Sequence, residues 1–162
     1  MAQFSFDVVS EVDKAELTNA LDQTRKEIIQ RFDFKNTGTE IKHEGESIEI
    51  RSNSEGRVQA ALDVLKEKMV RRDVSLKALD PGKIEPAGGS NYKQSIKIVQ
   101  GISDEKAKSI NKFIKGLGTK AQSQIQGEQL RVMSKAKDDL QQVIQALRDE
   151  DFGIPLQFTN YR

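Results

Sequence analysis

Residues 37–65 read TGTEIKHEGESIEIRSNSEGRVQAALDVL, and residues 117–147 read LGTKAQSQIQGEQLRVMSKAKDDLQQVIQAL. The second stretch repeats the first about 80 residues downstream. Gly38 aligns with Gly118. With two extra residues in the second hairpin, Ile48, Ile50 and Ser52 align with Leu130, Val132 and Ser134. Val58, Ala61, Leu62 and Leu65 then align with Leu140, Val143, Ile144 and Leu147. The alternating part predicts a β-hairpin, and the part with helical spacing predicts an amphipathic helix. The period is too long for a solenoid unit and suits a small domain, so the chain reads as a duplicated domain.

The flanking sequence completes each copy. QFSFDV (3–8) alternates with Phe4, Phe6 and Val8 on one side, which predicts a strand buried on one face. Asp13 with Glu16 has the capping-box pattern and opens a helix whose stripe is Leu17, Ala20, Leu21, Thr24 and Ile28. Strands follow at 39–43 and 46–51 around the Glu44–Gly45 step, then a helix starting near Ser54, then VSLKAL (74–79) as a closing strand. The second copy runs strand 92–100, a helix capped by Ser103 and ended by Gly116 or Gly118, strands 120–126 and 128–134, a helix at 136–149, and a last strand in PLQFTNY. Each copy is β-α-β-β-α-β, the ferredoxin-like order, with an antiparallel sheet and both helices on one face. The fold expected is α+β, with one unit at 1–80 and one at 92–162. Residues 81–91 form a linker between them, rich in proline and glycine.

The 162 residues contain no cysteine and one histidine, His43, which excludes disulfides, thiolate nucleophiles and Cys- or His-rich metal sites. His43 shares the parity of Ile41 and is expected to be a partly buried strand residue. No motif sets two carboxylates or an activated nucleophile on a rigid platform, so the expectation is no catalytic residue, no metal, no cofactor and no enzyme. The longest apolar runs are only a few residues, and the first residues lack the basic and apolar regions of a secretion signal; cytosol is the expected location. Residues 1–90 carry 14 basic and 17 acidic side chains (net −3), and residues 91–162 carry 12 and 8 (net +4). That asymmetry directs an anionic partner toward the second half.

SFDVVSEVD, RFDFKNTGTEI at 31–41, IRSNSEGRVQAALDVL, KIVQGISDEKAKSINKFIKG, GEQLRVMSKAKDDLQ and the ending IPLQFTNYR together resemble the YajQ family of small bacterial nucleotide-binding proteins. The resemblance spans the whole chain. It implies two tandem ferredoxin-like domains with N-terminal strands exchanged between them, so that strand 1–9 packs in the second unit's sheet. It also implies binding of nucleotides or nucleic acid, with cyclic di-GMP the ligand of some members.

Strand parity separates candidate ligand contacts from core. The faces away from the helices are expected to show Ser5, Asp7, Glu49 and Arg51 in the first unit and Lys93, Ser95, Lys97, Arg131 and Met133 in the second. None is aromatic, which argues against RNA recognition by stacking on the open sheet. Lys93, Lys97 and Arg131 would meet phosphates, an anion between them relieving like-charge repulsion. Lys108, Lys112 and Lys115 form a helical stripe that reads either as phosphate contacts or as ordinary solvated surface. In RFDFK, Phe32 extends the helix's apolar side and is expected in the core. Arg31, Phe34 and Lys35 are candidates for base stacking and phosphate pairing, the alternative being a helix end pinned by one aromatic. Gly116-Leu117-Gly118-Thr119-Lys120 follows a helix and lacks phosphate-loop spacing, so it reads as a helix stop.

The function expected is that of a non-enzymatic regulator binding a cyclic dinucleotide, guanine nucleotide or RNA. The alternative is a protein-interaction module acting on a transcription regulator or ribonucleoprotein.

Overall fold

A computed structural model describes residues 3–162. Residues 1 and 2 of the expected first strand lie outside the described residues. Among the described residues, nine strands and four α-helices are arranged as two compact units. One unit is Val12–Val99; the other joins the segment ending at Glu11 to Gln100–Arg162.

The Val12–Val99 unit begins with α1 (Lys14–Gln30), capped by Asp13, whose carboxylate accepts from the Glu16 N–H at 3.1 Å. Strands β2 (Glu40–Glu44) and β3 (Ser47–Ser52) form a hairpin, followed by α2 (Glu55–Arg71), capped by Ser54. Residues 74–79 do not form the expected strand. The Ser75 hydroxyl accepts from the Lys77 N–H and winds Leu76–Ala78 into a 3-10 turn, so that β4 comes later, at Leu79–Pro81. A two-residue strand, β5 (Glu85–Pro86), and then β6 (Tyr92–Ile98) complete the unit. The sheet order is β2-β3-β6-β4, with β5 also paired to β6. Ile48, Ile50 and Ile96 on the sheet meet Leu17, Leu21, Leu62, Leu65 and Met69 on the helices, all essentially out of water.

The other unit starts with β1 (Phe4–Val9) and resumes with α3 (Asp104–Lys115), β7 (Gln122–Gln126), β8 (Gln129–Ser134), α4 (Lys137–Asp149) and β9 (Gln157–Thr159). Its sheet order is β7-β8-β1-β9. The two sheets therefore have the same antiparallel ferredoxin-like arrangement, each completed by the first strand of the other sequence copy, β6 in one and β1 in the other. β1 pairs with β8, Phe6 opposite Val132, and β6 pairs with β3, Gln94 opposite Ile50. Phe6, Val8, Leu130 and Val132 line the helix side with Ala107, Ile110, Val143 and Leu147. Both hairpins turn on a left-handed glycine, Gly45 (φ 57°) or Gly127 (φ 62°). The two extra residues of the second copy thus lie before β7, not in its hairpin.

The exchange also redistributes charge. By compact unit, Val12–Val99 holds 16 basic and 15 acidic residues, and the other unit holds 10 of each. The asymmetry between halves of the sequence belongs to the chain order and disappears in the folded units.

Candidate functional site

Lys93 and Lys97 lie on β6 and Arg131 on β8, in different sheets, so the three do not share the one sheet face expected of them. Lys93 and Lys97 lie among alternating charges on the open face of the Val12–Val99 unit. Lys93 is opposite Arg51 and Glu85, and Lys97 is opposite Ser47 and Asp80. Glu49 bonds Arg51 at 2.7 Å; that bond first, then attraction to Arg51, Lys93 and Lys42, holds its carboxyl below the usual range. Arg131 is committed within its own sheet. Its Nε donates to Asp7 Oδ1 at 3.0 Å, and Asn160 Nδ2 donates to Asp7 Oδ2 at 2.8 Å. Burial of Asp7 (1% exposed) works to raise its pKa, but these bonds and the charges of Arg131 and Arg162 outweigh it, and the carboxyl sits below its ordinary range.

In the 31–35 segment, the two phenylalanines exchange the expected roles. Phe34 is 4% exposed, while Phe32 is 86% exposed. A 3-10 turn over Phe32–Phe34 folds the second ring into the core cluster that includes Ile28 and leaves the first in solvent; Ile29 is exposed as well. Arg31 fixes this turn. It binds Asp33 through two nitrogens (3.0 and 2.7 Å), reaches Glu27 (3.3 Å) and lies 5.0 Å from the Phe34 ring centre. Those contacts, the Asp33 bond foremost, raise its pKa further. Lys35 is exposed at the end of the turn. Lys108, Lys112 and Lys115 are exposed on α3.

A groove that the sequence reading missed lies in the unit containing β1. Its volume is about 640 Å³, and it is bounded by the start of β1, the outer face of α4 and the segment after β9. Phe4, Phe6, Leu140 and Ile144 give it an apolar floor, with Tyr161 on its outer wall. Lys137, Gln141, Gln145 and Arg148 form one stripe along α4, spanning about 16 Å at helical rise. Arg162 contributes a third cationic side chain, and no Asp or Glu side chain is among the lining residues. The Tyr161 ring, 61% exposed, packs 6.2 Å from the Phe6 ring. Arg148 also lies 5.5 Å from the Phe158 ring centre. Gln145 donates to Asp149 at 3.0 Å, which leaves its carbonyl oxygen as an acceptor.

Aromatic surface, three cations and amides with both donors and acceptors suit a planar, hydrogen-bonding anion. Residues 4–162 match the model of the family described as nucleotide-binding protein YajQ-like. The chain belongs to the YajQ family. Curated relatives of this YajQ-family chain extend over its full length. A protein from Rhodococcus erythropolis is 58% identical and one from Parafrankia sp. 56%, each alignment covering 100% of both chains. One from Desulfitobacterium hafniense is 51% identical over 98% of this chain and 97% of its own. All three are described as nucleotide-binding proteins.

The duplication supplies an internal control. The α2 residues matching Lys137, Gln141, Gln145 and Arg148 are Glu55, Gln59, Asp63 and Lys66, so the same stripe there carries net negative charge. Strand register likewise matches Phe6 and Phe4 with Gln94 and Tyr92. Gln94 is buried and donates to the Gly82 carbonyl at 2.8 Å, and Ile84 and Tyr92 pack against the core. The Val12–Val99 unit thus closes this corner with its own chain. The signal in the sequence was the Lys-x3-Gln-x3-Gln-x2-Arg stripe of α4, but its aromatic partners lie at opposite ends of the chain.

Proposed function

We propose that this chain is a non-enzymatic nucleotide-binding regulator whose ligand occupies the groove between α4, β1 and the segment after β9. The observation that carries the reading is the coincidence, in one groove, of the exposed Tyr161 ring and Phe4 with the side chains of Lys137, Arg148 and Arg162, with no Asp or Glu side chain in the lining. A base stacks on the aromatic surface, a contact worth about 1–3 kcal/mol in single-stranded nucleic-acid sites. The cations meet phosphate, and the Gln141 and Gln145 amides meet the base edges. The ligand classes that fit are a guanine nucleotide, a cyclic dinucleotide or a short RNA segment. Lys108, Lys112 and Lys115 on α3 add salt-sensitive attraction for a longer anion.

Calorimetric titration with GTP, cyclic di-GMP and a short single-stranded RNA tests the reading. Binding by at least one ligand is expected, weakened at least about tenfold by combined Lys137→Gln and Arg148→Gln substitution, which removes two charge-assisted hydrogen bonds. Binding by none, or unchanged affinity in the double variant, would overturn it. The exposed Ile29 and Phe32 favour a second reading, docking of a transcription regulator or ribonucleoprotein on that unit. Capture from lysate that survives nuclease and is lost in Phe32→Ser would support this; capture abolished by nuclease would not.

A further inference from the structure

Ser5 and Arg162 exchange both backbone hydrogen bonds, at 3.1 and 3.0 Å, and Thr159 pairs with Asp7. Only Phe6 separates Ser5 from Asp7, whereas Asn160 and Tyr161 separate Thr159 from Arg162. The edge strand therefore carries a β-bulge, with two residues opposing one. Asn160 occupies the left-handed position of that bulge (φ 56°), a conformation costly for most side chains and better tolerated by asparagine. Its amide is anchored to Asp7, a carboxylate out of contact with water and already fixed by Arg131. Bulges redirect the side chains around them. Here the extra residue brings Tyr161 onto the groove side against Phe6, while Arg162 returns to register on β1.

We infer that Asn160, anchored on Asp7, is a positioning residue that sets Tyr161 and Arg162 as the outer wall of the ligand groove. The inference deepens the nucleotide-binding reading and rests on it. Asn160 need not touch the ligand: it fixes the backbone that presents the stacking ring and the third cation. The Asp7 anchor makes the bulge a feature of the free protein, so the wall is formed before ligand arrives and binding does not bear the cost of ordering it.

Two substitutions separate backbone from anchor. Asn160→Gly keeps access to positive φ and removes the amide; Asn160→Ala removes both. Each is compared with wild type by thermal unfolding, by titration with GTP and cyclic di-GMP, and by the NMR contact between the Tyr161 and Phe6 rings. Folding is expected to persist in Asn160→Gly, with the ring contact weakened and affinity down about tenfold, the loss expected for a hydrogen bond to a charged group. Asn160→Ala is expected to lose more affinity than Asn160→Gly. Wild-type affinity and an intact ring contact in both variants would overturn the inference. If Lys137→Gln with Arg148→Gln abolishes binding while Asn160→Gly binds normally, the site stands and the positioning role falls. If the wild-type protein binds neither nucleotide nor the short single-stranded RNA, the site reading falls, and the ring contact alone decides whether Asn160 shapes the wall.

Discussion

Asp7 and Arg131 face each other across β1 and β8, with Arg131 Nε 3.0 Å from Asp7 Oδ1, although 124 residues separate them in sequence. The pair records the strand exchange in one contact, since it forms only because β1 completes the sheet built from the second repeat. A carboxyl whose folded pKa lies below its unfolded value stabilises the fold above that unfolded value, near 4, and the contribution fades as pH falls through the folded pKa. Asp7 and Glu27 are both shifted downward, so the urea midpoint is expected to drop as the solution is acidified below about pH 4. Asp7→Asn is expected to flatten that acid limb and to cost about 2 kcal/mol at neutral pH, as a charge-assisted hydrogen bond is lost. An acid limb as steep as the wild type's would show that Asp7 is not a principal source.

Glu27 accepts from Lys68 at 2.8 Å and from Arg31 at 3.3 Å, linking α1 to α2. The Lys68 side chain is largely buried, so its two partners are not equivalent under mutation. Glu27→Ala strands a desolvated ammonium and is expected to cost about 2–3 kcal/mol, whereas Lys68→Met replaces it with apolar bulk and is expected to cost under about 1 kcal/mol. Urea unfolding of the two variants checks the inequality. Equal losses would contradict it.

The paired phenylalanines give a sharper contrast. Phe34→Ala opens a cavity in the core and is expected to cost about 3 kcal/mol. Phe32→Ala is expected to change stability by less than about 0.5 kcal/mol, as at other exposed sites. Chemical denaturation of both variants measures this directly; a large loss at Phe32 would mean that ring is buried.

Those rings also show where sequence reading stops. Helical spacing placed Phe32 on the apolar side of α1, but the helix ends at Gln30 and the Arg31–Asp33 contact turns the following residues, which reverses the roles of the two rings. Local patterns were legible: Asp13 and Ser103 cap helices as expected, a helix starts beside Ser54, and Ile48, Ile50 and Ile96 face the core. The strand order followed from the repeat and the family resemblance together. The groove was not legible from local patterns, since it needs Phe4 beside Tyr161 and both beside α4, a proximity set by β1 pairing with β9. Residues on a sheet face were assigned in pairs by chain order, and the exchange placed Lys93 and Lys97 in one sheet and Arg131 in the other.

Stacking of a nucleobase on Tyr161 is open to direct optical measurement. The chain has no tryptophan and only two tyrosines, so in a Tyr92→Phe background tyrosine fluorescence reports Tyr161 alone. Titrating that variant with GTP and with cyclic di-GMP, corrected for ligand absorbance, while calorimetry follows binding of the same samples, is the most direct test. Saturable quenching with the calorimetric midpoint is expected, that midpoint moving to at least about tenfold higher ligand concentration with Lys137→Gln and Arg148→Gln. Calorimetric binding with Tyr161 emission unchanged would rule out stacking on Tyr161.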